Sequence, residues 1–393
     1  MIKSIKAKTI LDSRKKPTVE VELKTEKGRF LASCPSGAST GENEAKTVKP
    51  KKAVDNVNKI IAKELKGQSE TNQKKIDNIL IRNKNLGANA ILPVSIAACR
   101  AGAKTRNFAL YKYINELYRG PSSYKLVRGR ASTSFPRPCF NIINGGVHAK
   151  NNLEIQEFMI VPNYSSFAKN LEVGKKVFNN LKKLLQKDFG KKGIVMGDEG
   201  GFSPPIYNDK ECLGYISKAI GNLKVDIGLD VAASEFYSKG KYTLDNKKLN
   251  REELLAFYKE LVKKYPIIFI EDPFSENDDK GFSLAVKNLK TIIVGDDYLT
   301  TNIKRIKRAK NNCTGIIIKP NQIGTVFQTL EAVRLAKSYD WKTIVSHRSG
   351  ETMDDFIADL AVGVGSEFIK SGAPSKPERL SKYNRLVKIE TYG

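Results

Sequence analysis

Histidine is almost missing from this chain: two residues, His148 and His347, stand in 393. Five cysteines (Cys34, Cys99, Cys139, Cys212, Cys313) are odd in number and scattered, with no C-x-x-C spacing. That excludes a disulfide scaffold and a sequence-evident zinc site, and reads as reduced core thiols of a cytoplasmic protein. No apolar run approaches the roughly 18–20 residues that cross a bilayer. The opening MIKSIKAKTILDSRKK lacks the apolar core of a signal peptide. No G-x-G-x-x-G follows the first strand-like run, which argues against an open dinucleotide-binding sheet. Negative charge is also in deficit: 42 acidic residues against 68 basic, a formal net charge of +26. The basic residues are spread along the whole chain and no nucleic-acid module is recognised, so nucleic acid is not expected as the main partner. A positive field does help to gather an anionic substrate.

What is present is enough for a large core: 40% of residues are hydrophobic, in a chain long enough for two domains. IKSIKAKTIL, PTVEVELKT and RFLASCP read as three strands, with TEKGR as a hairpin turn. Val54, Val57, Ile61 and Leu65 mark one helical face stopped by Gly67. GANAILPVSIAACRAGAK is a second helix that Pro93 is expected to kink or restart. RGPSSYKLVRGRASTSFPRP has little periodicity, so the boundary is placed near residue 125: an N-terminal α+β domain over 1–125 and a second domain over 126–393.

In the second domain, short apolar runs end in charged residues. VDIGLD ends at Asp230, PIIFIED at Glu271 and Asp272, TIIVGDD at Asp296 and Asp297. GIIIKPN ends at Lys319, KTIVSHRS at His347–Ser349, and SEFIKSG at Lys370. Most gaps hold a helical pattern; Asn250 with Glu253 resembles a capping box. Strand–helix units repeating about every 25 residues predict a parallel sheet, and six or more of them an α/β barrel of TIM type. The strand C-terminal ends of such a barrel carry its active site.

Carboxylates from different strands make an all-oxygen site suited to a hard cation such as Mg2+, and no histidine or cysteine cluster is expected to compete. A lysine among carboxylates and cations is a candidate base, its pKa expected to fall. Metal, lysine and carboxylate together suit proton abstraction beside a carboxylate. The glycines of MGDEGGF let the chain bend and bring Glu199 near a ligand. PSGASTGE is a small Ser/Gly loop, and NIINGGVHAKNN carries His148 beside a Gly-Gly pair.

The motifs PSGASTGENEA, GANAIL, NIINGGVHA, QEFMI, GDEGGF, ASEFY, YPIIFIEDPF, VGDD, IIIKPNQIGT, SHRSGET and IKSGAP run in order along nearly the whole chain. In these the sequence closely resembles the enolase family. The resemblance implies an N-terminal α+β domain before an enolase-type barrel whose first strands break the all-parallel order. It implies reversible dehydration of 2-phosphoglycerate to phosphoenolpyruvate, a glycolytic step, with two Mg2+ per active site during turnover and a homodimer or higher homo-oligomer. Matched residue by residue, Lys319 is the general base and Glu199 the general acid. Asp230, Glu271 and Asp296 are the ligands of the tighter metal, and Ser39 a ligand of the second. Arg348 and Ser349 bind phosphate, and Lys370 holds the substrate carboxylate end. Gln156, Glu157, His148 and His347 line the site.

The family's usual DSRGNPTVEV is DSRKKPTVEV here, so Lys15 and Lys16 should make that turn stiffer and more basic. Lys388 stands where the family commonly has an arginine that pairs across the dimer with the residue matching Glu20; lysine keeps the charge and loses the fork. Two other readings make different demands. Another Mg2+-dependent acid dehydratase of the superfamily would lack the Arg348–Ser349 pair. A basic, enolase-like binding protein would have degraded catalytic positions.

Overall fold

The computed structural model describes residues 1–37, 43–82, 84–120 and 135–393. The boundary expected near residue 125 and the metal-ligand candidate Ser39 lie outside the described residues.

The N-terminal part opens with an antiparallel meander: β1 (Ser4–Leu11), β2 (Pro17–Thr25) and β3 (Gly28–Ser33). In β2 the residues alternate: Val19, Val21 and Leu23 are buried, while Glu20, Glu22 and Lys24 stand towards solvent. One covered face and one wet face is what this period-two pattern demands. The helix Ala88–Thr105 covers that face, and it runs through Pro93 as one helix without a second start. Ala53, Val57, Ile61 and Leu65 are buried along the other helical stretch, which contains a π-helical turn at Val57–Ile61. Lys66 and Gly67 end it, with Gly67 at φ +79°.

The turn between β1 and β2 is held by Asp12, whose Oδ1 accepts from the N–H of Arg14 and of Lys16, both at 2.9 Å. Lys15 sits there at φ +60°, in the left-handed region. A side chain with a Cβ costs roughly 1–2 kcal/mol in that region. Lys15→Gly is therefore expected to stabilise the chain by about 0.5–1 kcal/mol once glycine's greater unfolded entropy is subtracted. A urea midpoint that moves down instead of up would contradict this.

The second part is a closed barrel of eight strands. They are β4 (Arg137–Asn144), β5 (Glu157–Pro162), β6 (Val225–Asp230), β10 (Ile267–Glu271), β11 (Ile292–Gly295), β12 (Gly315–Ile318), β13 (Lys342–Ser346) and β14 (Phe368–Lys370). Between β6 and β10 lies a small excursion of three short strands, β7 (Tyr237–Ser238), β8 (Lys241–Leu244) and β9 (Lys247–Leu249). The β5 strand is antiparallel to both neighbours, and every other barrel pairing is parallel. Helices including Phe167–Phe189, Arg251–Lys264 and Val326–Lys337 cover the outside. The Asn250–Glu253 capping box is present: each residue's side chain accepts from the other's backbone N–H, at 2.9 and 2.7 Å.

The barrel interior is plugged by Cys139, Met159, Val161, Phe269, Val294, Ile317, Ile344 and Phe368. On β6 the corresponding place is Gly228, where a Cβ would stand 2.3 Å from the Phe269 ring. Side chains along a strand repeat every two residues on one face. Two residues beyond each plug residue, towards the parallel strands' C-terminal ends, come Asn141, Asp230, Glu271, Asp296, Lys319, Ser346 and Lys370. Antiparallel β5 contributes Glu157, two residues before Met159. The polar ring is thus the next layer above the apolar plug. A one-residue slip in any strand would turn its ring residue out of the barrel.

Candidate active site

Lys370, on the last strand, is the hub of the ring. Its Nζ lies 3.1 Å from Glu157, 3.0 Å from Asp230 and 2.9 Å from Glu271. Register explains the convergence, because Glu157 pairs with Asp230 and Asp230 with Glu271 on adjacent strands. Burial opposes the Lys370 charge, but the three carboxylates outweigh it and hold its pKa well above the ordinary value. Gln156 Nε2 donates to Asp230 Oδ2 at 3.3 Å.

Lys319 is ion-paired with Asp296 Oδ2, and Gln322 Nε2 donates to Asp296 Oδ1 at 3.0 Å. Asp296 is placed from below by Asp272, which accepts from the N–H groups of Asp296 (3.0 Å) and Asp297 (2.7 Å). Asp272 itself holds φ +42°. Burial raises the Asp296 carboxyl, yet Lys319 and Lys370 bring it down to about 2. The expectation that Lys319 would be lowered is not met in this state. Burial, Arg348 and Lys370 all push it down, but the adjacent Asp296 charge lifts it above the ordinary lysine value.

Glu199 is carried over the ring by the GDEGGF loop. Gly200 turns it at φ +84°, and a Cβ on Gly197 would meet Asn144 and the His148 carbonyl at 2.8 Å. Asn141 Nδ2 donates to Glu199 at 3.1 Å. His347 Nε2 lies 3.2 Å from Glu199, and His148 Nδ1 lies 3.4 Å from Glu157 and 3.9 Å from Glu199. Burial pushes Glu199 up, but the groups facing it hold it well below the ordinary carboxylate range. Burial holds His347 down at about 4, against the pull of Glu199, so it is neutral at neutral pH. Its contribution to Glu199 is thus an N–H dipole rather than a full charge. Arg379 meets His347 Nδ1 and can only donate, which leaves the ring proton on Nε2, towards Glu199.

Arg379 was not picked out in the sequence, where it is one basic residue among many. It is fully buried, and it also donates to the carbonyls of Arg348 (2.7 Å) and Ser349 (2.6 Å). It fixes the shape of the SHRS turn. Arg379→Lys keeps one charge and loses the fork, and is expected to cost about 3 kcal/mol while raising the KM for the substrate. Unchanged stability and KM would sink that role. Asn141 and Ser346 were also missed; the period-two spacing from Cys139 and Ile344 is the signal that finds them.

Arg348 is buried, and its guanidinium takes Glu44 bidentately, at 2.8 and 3.1 Å, with Asn321 Oδ1 at 3.3 Å. Gly350 and Ser36 exchange two backbone hydrogen bonds of 2.8 Å, so the Arg348–Ser349 turn is tied to the N-terminal domain.

Two groups of ligand atoms among the described residues lie within 4.8 Å of one another: His148–Glu157–Glu199 and Glu154–Asp209–Asp245. The first corrects the expectation that no histidine-containing cluster would form, since the fold brings Glu199 from the GDEGGF loop onto His148, in the β4–β5 connection, and Glu157. Of Asp230, Glu271 and Asp296, Lys370 contacts the first two and Lys319 the third. Their chemistry still fits a cation. Glu271 and Asp272 are held well above the ordinary carboxylate range, and Asp297 is raised to about 7, in each case by burial first and neighbouring carboxylates second. The ring therefore has more buried negative charge than Lys319 and Lys370 neutralise.

Comparison with known families agrees with this architecture. Residues 2–114 match the model of the enolase N-terminal domain, and residues 132–392 match that of the enolase C-terminal TIM barrel domain. Together they cover most of the chain, which belongs to the enolase family.

Proposed function

We propose that this chain is an enolase in the strict sense, a hydro-lyase that interconverts 2-phosphoglycerate and phosphoenolpyruvate. The observation that carries the reading is the buried Arg348 fork. It already holds one oxyanion bidentately, and it stands close enough to Asp296 and Lys319 to bias the ionisation of both. A guanidinium fork matches phosphate, and a phosphate anchor beside a lysine base is what a non-phosphorylated acid substrate would not require.

In this reading Arg348 and Ser349 seat the phosphate, displacing Glu44. Lys319 takes the C2 proton. Asp296 has to be drawn off its amine first; burial, Arg348 and Lys370 then press the amine towards its neutral form. Asp230, Glu271 and Asp296 would hold the tighter Mg2+, and Ser39 a second. The metal supplies positive charge for the dianionic enolate-like intermediate. Lys370 faces the substrate carboxylate end while it keeps Glu157, Asp230 and Glu271 together. Glu199 delivers a proton to the departing C3 hydroxyl, with Glu157, His148, His347 and Gln156 around it. The carboxylate has to acquire that proton when substrate arrives, because here it is ionised. The domain division near residue 125, a cytoplasmic location and a homodimer belong to the same reading. Within the chain Glu20 is paired with Lys8 at 2.9 Å.

A coupled assay with 2-phosphoglycerate and Mg2+, read as phosphoenolpyruvate absorbance, should show turnover that a chelator abolishes. Folded protein without turnover would end the proposal. Glu199→Gln should lower dehydration by about 10²–10⁴-fold, yet leave hydrogen exchange at C2 measurable. Loss of both together would reassign the acid.

A further inference from the structure

Away from the ring, three carboxylates meet at the second of the two clusters. Glu154 lies in the segment leading to β5, Asp209 at the first position of the helix Asp209–Ile220, and Asp245 in the turn between β8 and β9. Their ligand oxygens all lie within 4.8 Å of one another. Asp209 is fully buried, and neither of its carboxylate oxygens completes a hydrogen bond; nor do Glu154 Oε2 and Asp245 Oδ1. The backbone N–H of Ile155 faces Asp209 without completing that bond. Among the described residues no basic side chain pairs with any of the three. Lys210 and Lys247 act on Asp245 only from a distance, and Lys210 is committed to Glu260 at 2.6 Å.

A buried Asp209 carboxylate without a counter-charge, beside two half-buried carboxylates, is costly unless the cluster takes up protons or a cation. The donor set is oxygen alone, which selects a hard cation. Ca2+ accepts about six to eight oxygens in flexible geometry, so carboxylates from three segments can share it with water.

We propose that Glu154, Asp209 and Asp245 bind a hard divalent cation such as Ca2+, at a site separate from the carboxylates of the barrel ring. The site joins three distant segments. Through Glu154 it pins the stretch that carries Gln156 and Glu157 into the ring, and it holds whatever reaction the ring performs.

The test is calorimetric titration of the full chain with CaCl2 alone, beside Asp209→Asn, Glu154→Gln and Glu271→Gln. The wild type should bind one more Ca2+ per chain than Asp209→Asn or Glu154→Gln. Glu271→Gln, altered only in the ring, should keep that ion. Ca2+ at about 100 times its Kd should raise the melting temperature of the wild type more than that of Asp209→Asn. Glu154→Gln, at a half-buried position, serves if Asp209→Asn loses its native circular dichroism. Equal ion counts and equal thermal shifts in wild type and folded variants would overturn the proposal and identify the cluster as protonated carboxyls.

Discussion

Lys319→Ala should reduce turnover by about 10³–10⁴-fold and, unlike Glu199→Gln, should also abolish exchange of the C2 hydrogen with solvent. The reason is positional. Lys319 is the ring residue of β12, two beyond the plug residue Ile317, and its amine reaches Asp296 rather than solvent. No neighbouring group can replace it as a base. Lys370 already faces three carboxylates, and Arg348 does not give up a proton in the working range. The variant should fold, because Asp296 keeps the Gln322 hydrogen bond and its carboxyl can rise from about 2 towards ordinary values. Nuclear magnetic resonance of 2-phosphoglycerate in heavy water reads the exchange, and phosphoenolpyruvate absorbance reads the turnover. Exchange that persists in the variant would remove Lys319 from the role of base.

Lys370→Met should be the most damaging change to stability. Methionine keeps the length and the apolar stem but leaves Glu157, Asp230 and Glu271 without the ammonium that all three share. Breaking a buried ion pair from one side costs about 3–5 kcal/mol. The sign with pH follows from Glu271, whose folded pKa is already raised. A carboxyl raised on folding binds more protons in the native state than in the unfolded one, so stability falls as pH rises above the ordinary carboxylate value. The defect of Lys370→Met should accordingly be larger at about pH 8 than at about pH 5. Urea unfolding of chelator-treated wild type and variant measures it. A variant as stable as the wild type at both pH values would show that the shared ammonium is not what holds the three carboxylates in place.

The strand ends were readable because the barrel's parallel strands are buried on both faces, so each announces itself as an apolar run stopped by a charge. Asp230, Glu271, Asp296, Lys319 and Lys370 emerged in this way. The antiparallel β5 obeys the same geometry backwards: its ring residue, Glu157, precedes the apolar run, and only the family resemblance picked it out. Asn141 and Ser346 were overlooked because neither carries charge. Arg379 could not be told from the other basic residues of a lysine-rich chain; its importance is that its guanidinium is buried beneath the SHRS turn.

The sequence by itself determined the charged strand ends of the ring: Asp230, Glu271, Asp296, Lys319 and Lys370. A side-chain period of two along each strand makes the residue two beyond a barrel-filling side chain a lining residue, whatever else the chain does. Only the tertiary structure decided what those residues are to one another. Ionisation depends on distance and burial, not on identity. Packing set Lys370 among three carboxylates, turned Asp296 onto Lys319 so that the amine's pKa rises, and left His347 neutral against Glu199. It also gathered Glu154, Asp209 and Asp245 from three separate segments into one cluster around the buried Asp209.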